Sequence, residues 1–256
     1  MASTLTLHGF GSYDDQLDVS PFVWKLEAWL RLAELPHRKQ LGDVLKAPRG
    51  KLPFIELEGR RIADSQDVID HLQREGLADL DGWLTPRQRA TATALRSMIE
   101  EDLYFFVLHS RWVRAEAWAE YRVVLRELMV RSGMPGLIAR VIPSLARRDV
   151  IKALHGQGAG RRPPERLIER AEAQLDALVE LAEPGASWLL GERPCTLDAV
   201  AHAFLGGMLW ARVPTPGRAM VEARPQLLDW YARADAVIRA RGPIADPERA
   251  DPRKKS

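Results

Sequence analysis

Hydrophobic and polar positions run along this chain in two rhythms, and the rhythm changes once for good. Leu5 and Leu7 alternate with Thr6 and His8, a period of two closed by Gly9 and Gly11, which predicts a short strand. From Phe22 the period becomes helical. Phe22, Val23, Leu26, Trp29, Leu30 and Ala33 share one face, leaving Lys25, Glu27, Arg31 and Glu34 for an expected solvent side. Ser20 is a preferred N-cap, because its hydroxyl oxygen accepts from an orphaned backbone N–H, and Pro21 suits the first helical position. Leu35-Pro36 ends the run, so a helix is predicted over about 21–34. His37 to Leu41 reads as a polar edge strand. Phe54 to Leu57 and Arg60 to Ala63 read as two strands joined by a Glu58-Gly59 turn. Ser65 is expected to cap a short helix with Val68, Ile69 and Leu72 on its inner face. The order is strand, helix, three strands, helix, a small α/β unit over residues 1–75.

Period two does not return. After a lapse at 76–84, Thr85-Pro86-Arg87-Gln88 has capping-box spacing ahead of a long helix with Leu95, Met98, Ile99, Leu103, Phe106 and Val107. Ala115 to Met129 predicts another helix, and Leu137 to Leu154 a helix interrupted at Pro143. Gly156 to Pro164 is a loop by composition, and its glycines do not follow a strand, which argues against a dinucleotide fingerprint. Leu167, Ala171, Leu175 and Leu178 mark an amphipathic helix stopped by Pro184-Gly185. Two more helices are predicted at about 196–211 and 222–240, completing an all-helical unit over 85–240. The charged, proline-rich residues 241–256 read as a disordered tail.

Composition removes several function classes. With 37 lysines and arginines against 35 acidic residues, the net charge of +2 gives no support for a nucleic-acid partner. The single cysteine, Cys195, cannot form an internal disulfide and suits a reducing compartment. The first residues lack a signal-peptide pattern, and the most apolar run, Ala199 to Val213, is short and carries His202 and Arg212, so no membrane span is expected. A cytoplasmic protein is the expectation. The six histidines show no metal-ligand spacing, so no metal is implied.

Three short stretches then point to a family. The order of elements, with Ser20-Pro21-Phe22-Val23 opening the first helix, Leu52-Pro53 ahead of the third strand and Asp64-Ser65 opening the second helix, resembles the thioredoxin-like domain of glutathione S-transferases. The pieces SPFVWKLEAWLRLAELPHR, APRGKLPFIELEGRRIADS, GQGAGRR and LLGERPCTLDAVAHAFL resemble the branch holding the failed axon connections proteins and the metaxins. One departure is that Cys195 stands at the usual cap position of the helix opening at CTLDA, leaving a weaker cap or one shifted to Thr196.

The resemblance implies an α/β thioredoxin-like domain followed by an all-α domain, a homodimer, and glutathione as co-substrate with an electrophilic small molecule as its partner. It makes Ser20 the donor that stabilises the glutathione thiolate, with Tyr13, taken as a solvent-edge residue, as an alternative hydroxyl. Leu52, ahead of a cis Pro53, would offer main-chain groups to the cysteinyl residue. Asp64 and Ser65 would hold the γ-glutamyl end, and Lys51 or Lys46 the glycyl carboxylate. Trp24, Tyr104 and Trp112 are candidates to line the second substrate's cleft. The alternative is a glutathione-binding or metaxin-like interaction module without turnover. A membrane-surface adaptor acting through Leu137 to Leu154 is a third reading.

Overall fold

The computed structural model describes residues 5–182 and 185–242. The expected tail from 243 onward and Pro184 of the expected helix stop lie outside the described residues.

The first unit is β1 (Leu5–Gly9), α1 (Pro21–Leu32), β2 (His37–Leu41), β3 (Phe54–Leu57), β4 (Arg60–Ala63) and α2 (Ser65–Arg74). The sheet order is β2-β1-β3-β4, with β1 and β2 parallel and β3 antiparallel to both β1 and β4. Two reversals make β1 and β4 parallel to each other. The ends of β1 and β4, the start of β3 and the N-termini of α1 and α2 therefore all open at one edge of the sheet. That edge, outside the carboxyl ends of parallel strands, is where an open α/β sheet binds its ligands.

The second unit is wholly helical: α3 (Pro86–Met98), α4 (Tyr104–Trp112), α5 (Ala115–Arg131), α6 (Gly136–Gln157), α7 (Pro164–Leu181), α8 (Thr196–Leu209), α9 (Gly217–Glu222) and α10 (Pro225–Ala240). Thr85 and Gln88 form the predicted capping box of α3, and a π-helical turn at Ile99–Leu103 joins α3 to α4. Pro143 does not interrupt α6, contrary to expectation. Pro143 is buried with Ala139 and Leu154, and Arg147 donates to the carbonyls of Trp112 (2.7 Å) and Val113 (3.2 Å), so tertiary contacts hold the helix through the missing N–H. The helix expected from 222 starts at Pro225, and the residues before it form the separate helix α9, which ends at Glu222.

Helix α1 lies at the centre, packed against β1, α2, α8 and α10. Trp24 donates to Nδ1 of His202 at 3.2 Å and Trp29 to the hydroxyl of Thr196 at 3.0 Å, so two indoles bind the units together. Each buried tryptophan removes about 150–250 Å² from water, roughly 4–6 kcal/mol before entropy is subtracted. A Cβ at Gly206 would stand 2.4 Å from the Trp24 ring, so glycine is what lets α8 approach.

The expected solvent side of α1 is the main correction. Lys25, Glu27 and Arg31 are all buried. Lys25 pairs with Glu100 at 2.5 Å, while Glu27 pairs with Arg31 (2.5 Å) and Lys39 (2.7 Å). Partners distant in sequence satisfy these charges inside the protein, as burial requires.

Candidate functional site

At the sheet edge the chain leaves β1, runs through Gly11 to Val19 and enters α1 at Ser20. Asp18 builds this turn. Its buried carboxylate accepts from the N–H groups of Gly11 (2.9 Å) and Ser20 (3.0 Å) and pairs with Lys39 at 3.1 Å. Burial pushes the Asp18 carboxyl above the ordinary carboxylate range against the pull of Lys39, whereas Lys39 is held above its ordinary value because Asp18 and Glu27 outweigh its own burial.

Ser20 has the extended backbone of an N-cap, and its oxygen accepts from Val23 N–H at a long 3.5 Å. A helix starts with four orphan donors. Here Asp18 takes that of Ser20, Pro21 has none, that of Val23 makes only the long bond to the Ser20 oxygen, and that of Phe22 remains at the helix end. The first turn carries no acidic residue. A half-buried hydroxyl and a positive helix end thus meet the sheet edge, and the one carboxylate beside them, that of Asp18, is taken up by Gly11, Ser20 N–H and Lys39.

The other expected residues gather at the same edge. The Leu52–Pro53 bond is cis, and the Pro53 carbonyl accepts from Asp64 N–H at 3.3 Å, tying the loop before β3 to the end of β4. Asp64, not Ser65, caps α2: its carboxylate accepts from Gln66 N–H at 2.9 Å, and Ser65 lies within the first helical turn, buried. Asp64 holds φ 76°, a conformation costly for any residue but glycine and concentrated at functional sites. Lys25 donates to Gln66 Oε1 at 2.8 Å and so joins α1 to the first turn of α2. Lys51 and Lys46 are exposed on the loop, Lys46 beside Asp43 at 3.5 Å.

The aromatic candidates separate. Tyr104 is half-buried with its ring 5.0 Å from Phe22, which puts it above the start of α1, and burial pushes its phenol up to about 12. Trp24 is core, covered on every side and bonded to His202. Trp112 stacks on Trp118 (5.4 Å) and meets Tyr121 edge-on in a second core. Tyr13 is no solvent-edge residue. It is buried in that second core, where its phenol donates to Glu127 Oε2 at 2.5 Å. Burial first, and then Glu127, hold the Tyr13 phenol above its ordinary value, so it stays protonated and committed. Cys195 is buried, and burial pushes its thiol up, which leaves no reactive thiolate there.

Sequence reasoning missed Asp18, Lys39 and Arg111. Asp18 stands two residues before Ser20, the spacing of an Asx turn, and was legible in principle. Lys39 and Arg111 reach the turn from other elements and left no local signal.

Known proteins resemble this chain in sequence and in fold. The family described as the glutathione S-transferase N-terminal domain matches residues 21–117. The isoprene-epoxide glutathione S-transferase of Rhodococcus sp. is 27% identical over 90% of this chain and 97% of its own. Failed axon connections of Drosophila melanogaster is 29% identical over 84% of the chain, and human metaxin-1 is 26% identical over 72%. The chain spans only 53% and 40% of the lengths of those two proteins. In architecture, a glutathione transferase from Phanerochaete chrysosporium superposes with a TM-score of 0.60 over 96% of this chain and all of its own, at 15% identity. Residues 21–117 thus match the glutathione S-transferase N-terminal domain family, and the chain as a whole is similar to a glutathione S-transferase, to failed axon connections and to metaxin-1.

Proposed function

We propose that this protein binds glutathione at the sheet edge and conjugates its thiolate to an electrophilic small molecule, with Ser20 stabilising the sulfur anion. The observation that carries this reading is the start of α1, whose first turn holds no acidic residue and whose neighbouring carboxylate, Asp18, is taken up by the turn and Lys39, beside a hydroxyl only weakly used as a cap. An ordinary thiol with a pKa of about 8.5 is only a few per cent ionised at neutral pH. A helix N-terminus favours a nearby anion by about 0.3–1 kcal/mol. A hydroxyl donating to a charged acceptor adds about 1.5–3 kcal/mol. At about 1.36 kcal/mol per unit, together they lower the thiol pKa by roughly one to three units, enough to make the thiolate a major species. The sulfur then forms its bond to the electrophilic carbon as the leaving group departs with its electron pair, or as a strained ring opens. Main chain at Leu52 and the Asp64-Ser65 start of α2 take the peptide and γ-glutamyl parts, Lys51 takes the glycyl carboxylate, and Tyr104 borders the second substrate. In this reading the protein is a cytoplasmic homodimer.

The test is retention on immobilised glutathione followed by conjugation of a generic aryl halide. Ser20→Ala is expected to lower turnover at least about tenfold, the worth of one charge-assisted hydrogen bond, while retention changes little. Equal turnover in the two proteins refutes the role of Ser20.

One feature favours the second reading, a module that binds glutathione without turnover and acts through contacts with other proteins. The outward face of α6 presents Leu137, Val141 and Leu145, 78%, 57% and 50% exposed, an apolar stripe of the kind found at interaction surfaces. Retention without conjugation of any electrophile would select it.

A further inference from the structure

Arg111, on the last turn of α4, is 4% exposed and makes no ion pair among the described residues. Its guanidinium donates to the carbonyls of Val19 (3.2 Å) and Gly207 (2.7 Å) and lies over the rings of Tyr121 (5.8 Å) and Trp210 (5.5 Å). A buried cation without a carboxylate is expensive, and packing alone would be served by an apolar side chain of similar volume. What it touches explains its presence. The Val19 carbonyl and the Ser20 N–H belong to one peptide unit. Arg111 holds the oxygen of that unit and Asp18 the N–H, at 3.0 Å. The plane of this peptide sets the backbone of Ser20 (φ −92°) and hence where its hydroxyl points.

We propose that Arg111 is a positioning residue for the thiolate site, fixing the Val19–Ser20 peptide so that the Ser20 hydroxyl and the start of α1 meet the sulfur. This rests on the reading of Ser20 given above. The helical domain thereby reaches into the sulfur site of the other domain without touching the ligand. Gly207 belongs to the same device, since a Cβ there would stand 2.7 Å from Nη2 of Arg111 and push the guanidinium aside.

The experiment titrates the ultraviolet absorbance of the glutathione thiolate bound to the full-length protein, alongside kcat and KM. The groups facing Arg111 are Tyr121 of α5 and Tyr104 of α4; across the peptide stands Asp18, paired with Lys39 of β2. Burial holds both phenols above their ordinary value, so neither contributes a phenolate signal at neutral pH. Arg111→Met is expected to raise the thiolate midpoint by about one unit and lower kcat about tenfold, with KM for glutathione within about twofold, because the peptide is held at β3 and α2. Arg111→Lys, which keeps the charge but reaches one carbonyl, recovers part of the shift. Gly207→Ala moves the guanidinium without removing it and gives a smaller shift in the same direction.

A folded Arg111→Met protein with an unchanged midpoint and kcat overturns the proposal, as does a loss confined to KM. Should Arg111→Met fail to fold, an unchanged midpoint in Gly207→Ala overturns it instead. If Ser20→Ala shifts the midpoint and neither Arg111→Met nor Gly207→Ala does, the inference falls and the Ser20 reading stands. If glutathione shows no thiolate band in the wild-type protein, both fall.

Discussion

Two helices in this protein begin in opposite ways. At α8 the chain supplies its own anions: Asp198 accepts from the N–H groups of Cys195 (2.8 Å) and Leu189 (2.9 Å), and Asp81 accepts from Thr196 through both N–H (2.8 Å) and hydroxyl (2.6 Å). Both carboxylates close over the helix end, and nothing remains there for a ligand. At α1 the first turn has no acidic residue, and the one nearby carboxylate, Asp18, is spent on the turn and on Lys39. A saturated helix end contributes stability; an unsaturated one at a sheet edge keeps its field for something that arrives from outside.

The largest effect expected from breaking this contrast is at α8. Asp198→Ala strips the acceptor from two buried N–H groups, at about 1–3 kcal/mol for each donor left unpaired, and should cost roughly 2–5 kcal/mol in urea unfolding. A cost under about 1 kcal/mol would mean that water replaces the carboxylate, and that the α8 end is not closed as described.

Next in size is the converse change, giving α1 an anion of its own. Ser20→Asp keeps a good N-cap, so thermal stability should hold or rise. The fixed carboxylate then stands where the sulfur anion belongs, and like charge raises the thiol pKa. Conjugation should fall at least about a hundredfold, about 2.7 kcal/mol, in a protein that melts no earlier than the wild type. If Ser20→Asp turns over normally, the sulfur does not sit at α1.

How legible each helix end was in the sequence follows from how far its partners lie along the chain. Ser20-Pro21 and Thr85-Pro86-Arg87-Gln88 were read directly, because cap and capped donor are three residues apart. The strands and the Glu58-Gly59 turn were equally local. Asp64 and Ser65 were placed at the right helix start with the cap assigned to the wrong residue, since only the backbone at φ 76° shows which side chain reaches Gln66. The α8 cap was legible in part: Asp198 lies three residues after Cys195, within the CTLDA stretch read as a cap, whereas Asp81 lies 115 residues before Thr196, in a stretch without periodicity. The same distance hid the partners of Lys25 and Lys39, and with them the burial of the polar side of α1. Periodicity shows which residues share a face, and here the charged face met buried charges of opposite sign instead of water.

The smallest expected effect separates the two helix ends by pH. Burial pushes the Asp198 carboxyl up to about 6 from an ordinary 3.8; the N–H groups of Leu189 and Cys195 oppose this, and Asp81 adds to it. A group raised in the folded state binds its proton more tightly there than in the unfolded chain. Its contribution is fully present below the unfolded value of 3.8 and is lost as pH climbs through about 6. Wild-type stability, measured against Asp198→Asn at each pH, should therefore fall by about 1 kcal/mol between about pH 5 and pH 7. The amide of the variant cannot titrate, so subtraction removes every other carboxylate from the comparison. A difference that stays flat across this range, or rises, would mean that Asp198 ionises as an ordinary carboxyl, and that burial does not oppose the charge that closes the α8 end.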